Sequence, residues 1–260
     1  MYHRYVALGD STTEGLDDRR PEGGYRGWAD RLSEQLARGN PDFRYANLAV
    51  RGRRIGQVRA EQLVPALALE PDLATVVAGL NDLLHRRYDP DVTAGHLEAM
   101  LAELRGAGAA VMTFTLPDLS CVVPLARILR GRLTAYNEAI RAVGASTGAI
   151  VLDLAAEPMT ADPRVWSTDR LHASTLGHER IAAGLAHALD LEGADVSWAA
   201  TLPPASRRPP HALITAELIW AQRYFTPWLV RRLRGRSSGD GRTPKRPDLA
   251  PVAAGAVGGG

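Results

Sequence analysis

Two distant stretches of the sequence hold a hydroxyl and an imidazole that could together carry out acyl transfer. Gly9-Asp10-Ser11-Thr12 follows a short apolar run, and the hydroxyl of Ser11 could project from the point where a helix begins. Asp169 and His172 lie three residues apart, close enough for the carboxylate to accept from the imidazole and fix its tautomer. Histidine is a suitable general base for a serine hydroxyl. These residue types predict a nucleophile and its base.

Two further stretches could stabilise the negative charge that forms during acyl transfer. Asn81, in Gly79-Leu80-Asn81-Asp82, directly follows an apolar run and could donate its side-chain amide to an oxyanion. Gly52 ends the stretch from Asn47 to Gly52. Its missing side chain would let a backbone N–H approach a bound group closely.

Each of these residues also has a common structural explanation. Ser11 could be a helix cap, because serine satisfies the free N–H groups of a first helical turn. Asn81 could form an Asx turn without a ligand. Gly52 could mark an ordinary turn, and the Asp169 and His172 side chains could form a surface ion pair. The chemical interpretation depends on all four stretches meeting at one place.

Short apolar runs alternate with helical patterns from Tyr5 to about Leu191. The runs predict strands at Tyr5 to Leu8, Arg44 to Val50, Leu73 to Ala78, Ala110 to Thr115 and Ala149 to Leu154. The patterns predict helices at Trp28 to Ala37, Ile55 to Leu69, Val92 to Arg105, Leu125 to Val143 and Thr175 to Leu189. Continuously apolar strands that alternate with helices predict a three-layer α/β domain with a parallel sheet. Ligands bind at the carboxyl edge of such sheets, where all four stretches fall.

The four stretches, in this order and at this spacing, resemble the SGNH or GDSL-type hydrolase family. The resemblance rests on Gly9-Asp10-Ser11 with Gly15, on Asn47 through Gly52, on Gly79-Leu80-Asn81-Asp82 and on Asp169-Arg170-Leu171-His172, and it spans residues 5 to about 190. It implies a flavodoxin-like α/β/α fold with a five-stranded parallel sheet. The Gly-x-Ser-x-Gly elbow of the larger α/β-hydrolase family is absent, which disfavours that fold.

The resemblance also implies a role for each site residue. Ser11 would be the nucleophile, His172 the general base and acid, and Asp169 the carboxylate that orients it. The oxyanion hole would consist of the backbone N–H groups of Ser11 and Gly52 and the Asn81 side chain. Hydrolysis would proceed through an acyl-serine intermediate that water resolves, with no metal or cofactor.

Two positions depart from the family pattern. Thr12 stands where the GDSL motif has leucine, which weakens a lipase label more than the mechanism. Arg51 stands directly before Gly52, where a small residue is common, and could narrow the entrance or meet an anionic substrate.

Basic residues follow two of the predicted strands and could select the substrate. Arg51 and Arg54 follow the second strand and His85 follows the third, so we expect them to flank the active-site edge. They would favour acyl donors that carry phosphate or carboxylate, for example a thioester of coenzyme A. Solvated loop charges with no ligand explain the same residues equally well.

Three functions therefore fit the sequence. The first is a serine esterase that acts on small or medium acyl esters. The second, within the same chemistry, is an acyl-CoA thioesterase or a carbohydrate O-acetyl esterase. The third is a binding module that keeps the fold without turnover, although every catalytic position is filled.

Composition and charge divide the chain of 260 residues into a body and an extension. Residues 205–260 carry ten Lys or Arg and three Asp or Glu, a net charge of +7, whereas residues 1–204 carry a net charge of −5. We expect a hydrolase domain over 1–204, a basic and aromatic helical extension over 205–234 and a disordered tail over 235–260. The acidic body argues against a nucleic-acid partner.

The remaining features concern location and surroundings. Cys121 is the only cysteine, so an internal disulfide and a cysteine zinc cluster are excluded. The N-terminus has too short an apolar stretch for a secretion signal, which predicts a cytoplasmic protein. The aromatic and arginine-rich extension could lie on an anionic membrane, but Pro227 and Glu217 favour packing against the body.

Overall fold

The centre of the structure is a sheet of five parallel strands, to which a sixth, antiparallel strand adds at one edge. The structure is a computed structural model and describes residues 1–204 and 210–252. The strands are β1 (Arg4–Gly9), β2 (Arg44–Asn47), β3 (Leu73–Val77), β4 (Ala110–Phe114), β5 (Ile150–Leu152) and β6 (Arg246–Pro251). Their order across the sheet is β5-β4-β3-β1-β2-β6. In the centre of the sheet, Val6 of β1 pairs with Ala46 on one side and Ala74 on the other.

Helices lie between the parallel strands and after the last of them, close to the predicted positions where a prediction was made. They are α1 (Ser11–Glu14), α2 (Gly27–Leu36), α3 (Ile55–Ala68), α4 (Leu80–Leu83), α5 (Pro90–Gly106), α6 (Arg130–Thr147), α7 (Thr175–Ala188), α8 (Pro210–Trp220) and α9 (Thr226–Leu233). Short 3₁₀ turns lie at Leu119–Cys121, Pro124–Leu129, Leu154–Ala156, Pro158–Ala161, Pro163–Val165 and Val196–Ala199. The helix predicted from Leu125 begins at Arg130, because a 3₁₀ turn that starts with Pro124 precedes it.

Helices cover both faces of the sheet, which is why its strands are continuously apolar. All five residues of β3 are buried, as are the last five of β1. Right-handed crossovers place α2 on one face and α3, α5 and α6 on the other, and α7, which follows β5, packs against α2. Within each face the neighbouring helices pack against one another. The structure therefore confirms the three-layer α/β fold.

The sixth strand corrects two expectations, a sheet of five strands and disorder throughout 235–260. Arg246–Pro251 pairs antiparallel with β2, although its composition is typical of disorder. Proline is tolerated there because β6 is an edge strand. Specific contacts hold the segment: Lys245 Nζ lies 2.9 Å from Asp30 Oδ1, and Arg246 Nε donates to the Tyr45 carbonyl at 2.8 Å. Composition does not reveal such tertiary contacts.

The basic extension forms two helices joined by a wider turn. α8 passes through a π-helical segment, Ala221–Phe225, into α9. Pro227 lacks an N–H, and the chain accommodates it directly after the π segment. The predicted boundary at residue 205 and the end of the predicted tail, residues 253–260, lie outside the described residues. Among the described residues, no helix combines the length and the apolarity needed to cross a bilayer.

Candidate active site

The carboxyl ends of β1, β2 and β3 bring three of the four stretches to one edge of the sheet. β1 lies between β2 and β3. The chain runs from β1 to β2 on one side and then crosses back to β3 on the other side of β1. This is the switch point at which open α/β sheets bind ligands. Ser11 follows β1, Gly52 follows β2 and Asn81 follows β3. The topology thus explains why residues 70 positions apart share one site.

Ser11 is the first residue of α1, but it does not cap the helix. Asp10 is the cap, and its carboxylate accepts the N–H of Thr12 at 3.1 Å. Within the described part of the chain, no hydrogen bond engages the Ser11 hydroxyl, which is partly exposed. The N–H of a first helical residue has no partner within its helix. Ser11 therefore offers a hydroxyl and a backbone N–H at the same point.

Asp169 and His172 form a tight pair in the loop before α7. His172 Nδ1 lies 2.6 Å from Asp169 Oδ2, and the two side chains are only 10% and 18% exposed, respectively. Asp169 Oδ1 accepts the backbone N–H groups of Leu171 and His172, at 2.9 and 3.0 Å. A surface ion pair would be far more exposed. The contact fixes the tautomer of His172, with the proton on Nδ1 and Nε2 left to act as a base.

The surroundings of His172 favour its protonated form. Burial lowers the pKa of the imidazole, but the hydrogen bond and charge of Asp169 outweigh burial, with further help from the charges of Asp17 and Asp10, so the pKa is raised above its ordinary value. For Asp169, burial raises the pKa, yet its bonds to His172 and Ser167 lower it well below the usual range. The pair can take up a proton from a neighbouring hydroxyl without losing its orientation.

A second carboxylate, Asp17, lies beside this pair and was not identified from the sequence. Ser167 Oγ lies 2.5 Å from Asp17 Oδ2 and 2.7 Å from Asp169 Oδ1. One hydroxyl proton can be donated to only one of these oxygens at a time. Ligand atoms of Asp17, Asp169 and His172 lie within 4.8 Å of one another, and among the described residues only this group of three could hold a cation. This group contains the histidine and carboxylate that the sequence predicts as the acid–base pair.

The Asn81 amide is held at the edge by two acceptors. Asn81 Nδ2 donates to Asp10 Oδ2 and to the carbonyl of Arg53, both at 3.0 Å. Burial raises the pKa of Asp10 to about 6, although its hydrogen bonds, including that from Asn81, oppose this. Because the amide has two hydrogens, both are engaged before substrate arrives. An oxyanion would have to replace or share one of these acceptors.

Gly52 and Arg51 differ from expectation in what surrounds them. Gly52 has φ +74°, and a Cβ there would collide with Ser237 Oγ of the extension, so its missing side chain makes room for the protein's own chain. Arg51 turns inward: its N–H and guanidinium both bind the Glu14 carboxylate. Since the Glu14 carboxylate neutralises the guanidinium charge, this ion pair argues against a role for Arg51 in binding an anionic substrate.

Ser11 and His172 lie at the same edge of the sheet and form no hydrogen bond with each other. Among the described residues no hydrogen bond joins Ser11 Oγ to the imidazole, but the charge of Asp10, directly before Ser11, acts on His172. Thr12 and Leu171, each adjacent to one member of the pair, line the same cavity. Catalytic hydrogen bonds are often long in the absence of substrate and tighten when it binds.

Two cavities of opposite character flank these residues. An apolar one of about 50 Å³ lies between Thr12, Leu80, Phe114, Trp166 and Leu171. A polar one of about 240 Å³ lies beyond Asn81, and its lining includes Arg54, His85, Arg87, Tyr88 and His96, together with Asp82 and Asp89. Two buried polar atoms of that lining, Tyr88 Oη and His96 Nδ1, have no hydrogen-bond partner within the described residues. Arg54 and His85, expected to bind substrate, thus share one cavity.

His178 is a second buried histidine, and its contacts are structural. Nδ1 accepts the N–H of Trp28 at 3.1 Å, and Nε2 lies 3.0 Å from the Leu16 carbonyl. Burial lowers its pKa to about 4. The neutral ring therefore ties α7 to the loop that carries Asp17. In the sequence, His178 differs from His172 by its position inside a helix and by the absence of a carboxylate three residues before it.

Comparisons with known proteins agree with the fold and identify the family. Residues 7–180 match the model of the GDSL-like lipase/acylhydrolase family. Similar solved structures include LAE5, an alpha/beta hydrolase enzyme from the metagenome of Lake Arreo (19% identity, 73% of this chain and 95% of that chain, TM-score 0.62). They also include TesA (21%, 72% and 98%, 0.59) and Axe2, an acetylxylan esterase from Geobacillus stearothermophilus (17%, 75% and 97%, 0.61). No curated protein matches. The family match covers all four stretches and most of the α/β body and ends within α7; this chain is an enzyme of the GDSL-like lipase/acylhydrolase family.

Proposed function

We propose that the protein is a serine esterase that works through an acyl-Ser11 intermediate. The observation that carries this proposal is the buried contact of 2.6 Å between His172 and Asp169, at the same sheet edge as Ser11, whose hydroxyl does not serve as the helix cap. Such an arrangement leaves one imidazole nitrogen free to activate a hydroxyl.

The reaction then has two balanced steps. Ser11 Oγ bonds to the acyl carbon and gives its proton to His172 Nε2; the carbon–oxygen bond to the leaving alcohol breaks, and His172 passes it that proton. Water repeats the sequence and releases the acid. The backbone N–H groups of Ser11 and Gly52 and the amide of Asn81 would bind the oxyanion, for which Asn81 releases the carbonyl of Arg53.

The apolar cavity supports a short acyl group. Its volume of about 50 Å³ leaves little space beyond a few carbon atoms, and Thr12 and Leu171 place it next to the reacting residues. A bulky or long acyl chain would have to extend out of the cavity into solvent. Short acyl esters, such as acetyl esters, are therefore the favoured substrates.

The polar cavity supports an anionic leaving group on the opposite side. Arg54, His85 and Arg87 could bind phosphate or carboxylate, while Asp82 is already engaged by the N–H of Ile55 at 2.9 Å. This cavity specifically favours a second candidate, a short-chain acyl-CoA thioesterase. A neutral sugar ester would offer Arg54 and Arg87 no anionic group to bind.

Labelling by a fluorophosphonate probe tests the central proposal, because such probes modify activated serines. We expect labelling of the full chain, loss of labelling in Ser11→Ala, and hydrolysis of p-nitrophenyl acetate that follows the same pattern. Folded wild-type protein that neither labels nor hydrolyses the ester would instead be a binding module.

Comparison of two substrates tests the leaving-group proposal separately. We expect Arg54→Ala to lower kcat/KM for acetyl-CoA while leaving that for p-nitrophenyl acetate unchanged. Arg38→Ala, an exposed arginine after α2, is the matched control. An equal loss on both substrates would reject anion recognition without affecting the esterase proposal.

A further inference from the structure

The extension contacts both loops on which the proposed reaction depends. The family match ends at residue 180, so these contacts come from chain outside it. α8 lies against the loop of Asp169 and His172, and the segment after α9 lies against the Gly52 turn. Two separated parts of the extension thus reach opposite sides of one site.

On the acid–base side, polar groups of α8 and the π segment bind the loop backbone and its neighbours. Trp220 Nε1 donates to the carbonyl of Asp169 at 2.9 Å. The hydroxyls of Tyr224 and Thr168 lie 3.0 Å apart. Trp220 thus binds Asp169, the residue that forms the hydrogen bond to His172. One residue therefore separates α8 from the proposed base.

Arg170 shows that this loop needs support. It has φ 61°, a left-handed conformation that is unfavourable for a residue with a long side chain. Its guanidinium makes two bonds of 2.7 Å with the Glu217 carboxylate and lies 4.7 Å from the centre of the Trp220 ring. The turn at Arg170 lets Asp169 accept the N–H groups of Leu171 and His172. Glu217 and Trp220 therefore stabilise the conformation that presents the base.

On the oxyanion side, the extension approaches the backbone of the Gly52 turn directly. Ser237 Oγ donates to the carbonyl of Gly52 at 3.2 Å. Gly239 is buried, and a Cβ there would collide with the carbonyl of Arg51. The chain then continues into β6, which pairs with β2, the strand that leads to Gly52. This pairing anchors the contact.

From Thr215 onward, where the side chains of α8 are described, their contacts are not those of a helix that merely covers apolar surface. Leu218 and Ile219 are 67% and 53% exposed, whereas Glu217 and Trp220 from the same turn face the loop. A helix that serves to extend the core would bury its leucines and isoleucines. The polar, geometrically specific contacts fit positioning.

We propose that residues 217–239 are a positioning element of the active site, an inference that rests on the proposed function. Glu217 and Trp220 hold the turn that presents Asp169 and His172. Ser237 and Gly239 hold the turn that presents the N–H of Gly52. The catalytic unit of this chain thus includes residues beyond the part that matches its family.

Kinetics of full-length variants test the acid–base side. We expect Glu217→Gln and Trp220→Phe to lower kcat roughly 10-fold to 100-fold with little change in KM, because small displacements of catalytic groups cost this much. The pH midpoint of kcat/KM should move to lower pH, since a loosened Asp169 contact no longer raises the pKa of His172. Leu218→Ala, an exposed neighbour on α8, is the control and should change neither quantity.

The oxyanion side gives a different signature. Gly239→Ala should lower kcat without moving the pH midpoint, because the Gly52 turn does not titrate. Gly95→Ala, at an open position of α5, is the matched control. Variants that lose thermal stability but keep the wild-type kcat and pH midpoint would overturn the positioning role.

NMR titration of the His172 imidazole separates this inference from the proposed function. The titration needs no turnover and should show a lower midpoint in Trp220→Phe than in wild type. An unchanged midpoint overturns the inference even if the protein is an esterase. Failure of wild-type protein to hydrolyse any ester, with the midpoint still shifted, would overturn the esterase proposal alone.

Discussion

The two halves of the site are prepared to different degrees before substrate binds. On the proposed acid–base side, the contacts that the proposed mechanism needs are already made, since Asp169 binds both the imidazole and two backbone N–H groups of its own loop. On the oxyanion side, Asn81 gives both amide hydrogens to Asp10 and to the carbonyl of Arg53. The proposed acid–base residues are already in the arrangement that the mechanism needs, whereas Asn81 must exchange one hydrogen-bond acceptor for the oxyanion.

This difference indicates where substrate binding does work. In the proposed mechanism, His172 needs only the approach of a hydroxyl, because its tautomer and orientation are fixed. The oxyanion donor becomes available when the developing negative charge displaces a neutral carbonyl, since a charged acceptor forms the stronger hydrogen bond. Asn81 should therefore contribute to the transition state more than to ground-state binding.

Loss of the base should have the largest effect. We expect His172→Ala to lower kcat/KM for p-nitrophenyl acetate by about 10³-fold to 10⁴-fold, because the proton of Ser11 then has no acceptor within reach. Steady-state kinetics measure the loss, and circular dichroism checks the fold. His187→Ala, an exposed histidine near the end of α7, is the control. Near-full activity of His172→Ala would show that His172 is not the base, and the contrast between the two sides of the site would then be wrong.

Loss of the oxyanion donor should have a smaller effect and a different form. We expect Asn81→Ala to lower kcat about 10²-fold to 10³-fold, the usual result of removing one such donor, with KM changing little. Steady-state rates at several ester concentrations separate the two constants. A rise in KM at constant kcat would show instead that Asn81 binds the ground state, and the exchange of partners would then be wrong.

Much of the fold can be predicted from the sequence, because short apolar runs and helical patterns are local features of the chain. β3 is a run of five buried residues from Leu73 to Val77, and such a run is visible without coordinates. Ser11, Gly52 and Asn81 each follow a strand closely, so the parallel topology alone brings them to one edge.

The remaining features depend on contacts between distant residues. Glu14 forms an ion pair with Arg51, although both residue types would be expected in a solvated loop. Asp17 joins the acid–base pair through Ser167, which lies 150 positions away in the chain. The residues of β6 have a composition typical of disorder and become a strand only because the edge of β2 is free. No local pattern encodes these pairings.

Removal of the second carboxylate should have the smallest effect on the maximal rate and the clearest effect on pH dependence. The charge of Asp17 contributes to the raised pKa of His172. In Asp17→Asn the pKa of the imidazole should fall, so the neutral base persists to lower pH. The midpoint of kcat/KM against pH should therefore move to the acid side, and the alkaline plateau, where the base is neutral in both proteins, should change little.

The control for this shift is removal of a carboxylate from the other end of the sheet. Asp42 is exposed and precedes β2, at the amino ends of the parallel strands, so Asp42→Asn should leave the midpoint in place. Loss of the plateau in Asp17→Asn with an unmoved midpoint would mean that Asp17 acts by holding Ser167 rather than by its charge. Asp17 would then act on the loop geometry around His172. The charges that raise the pKa of His172 would be those of Asp169 and Asp10.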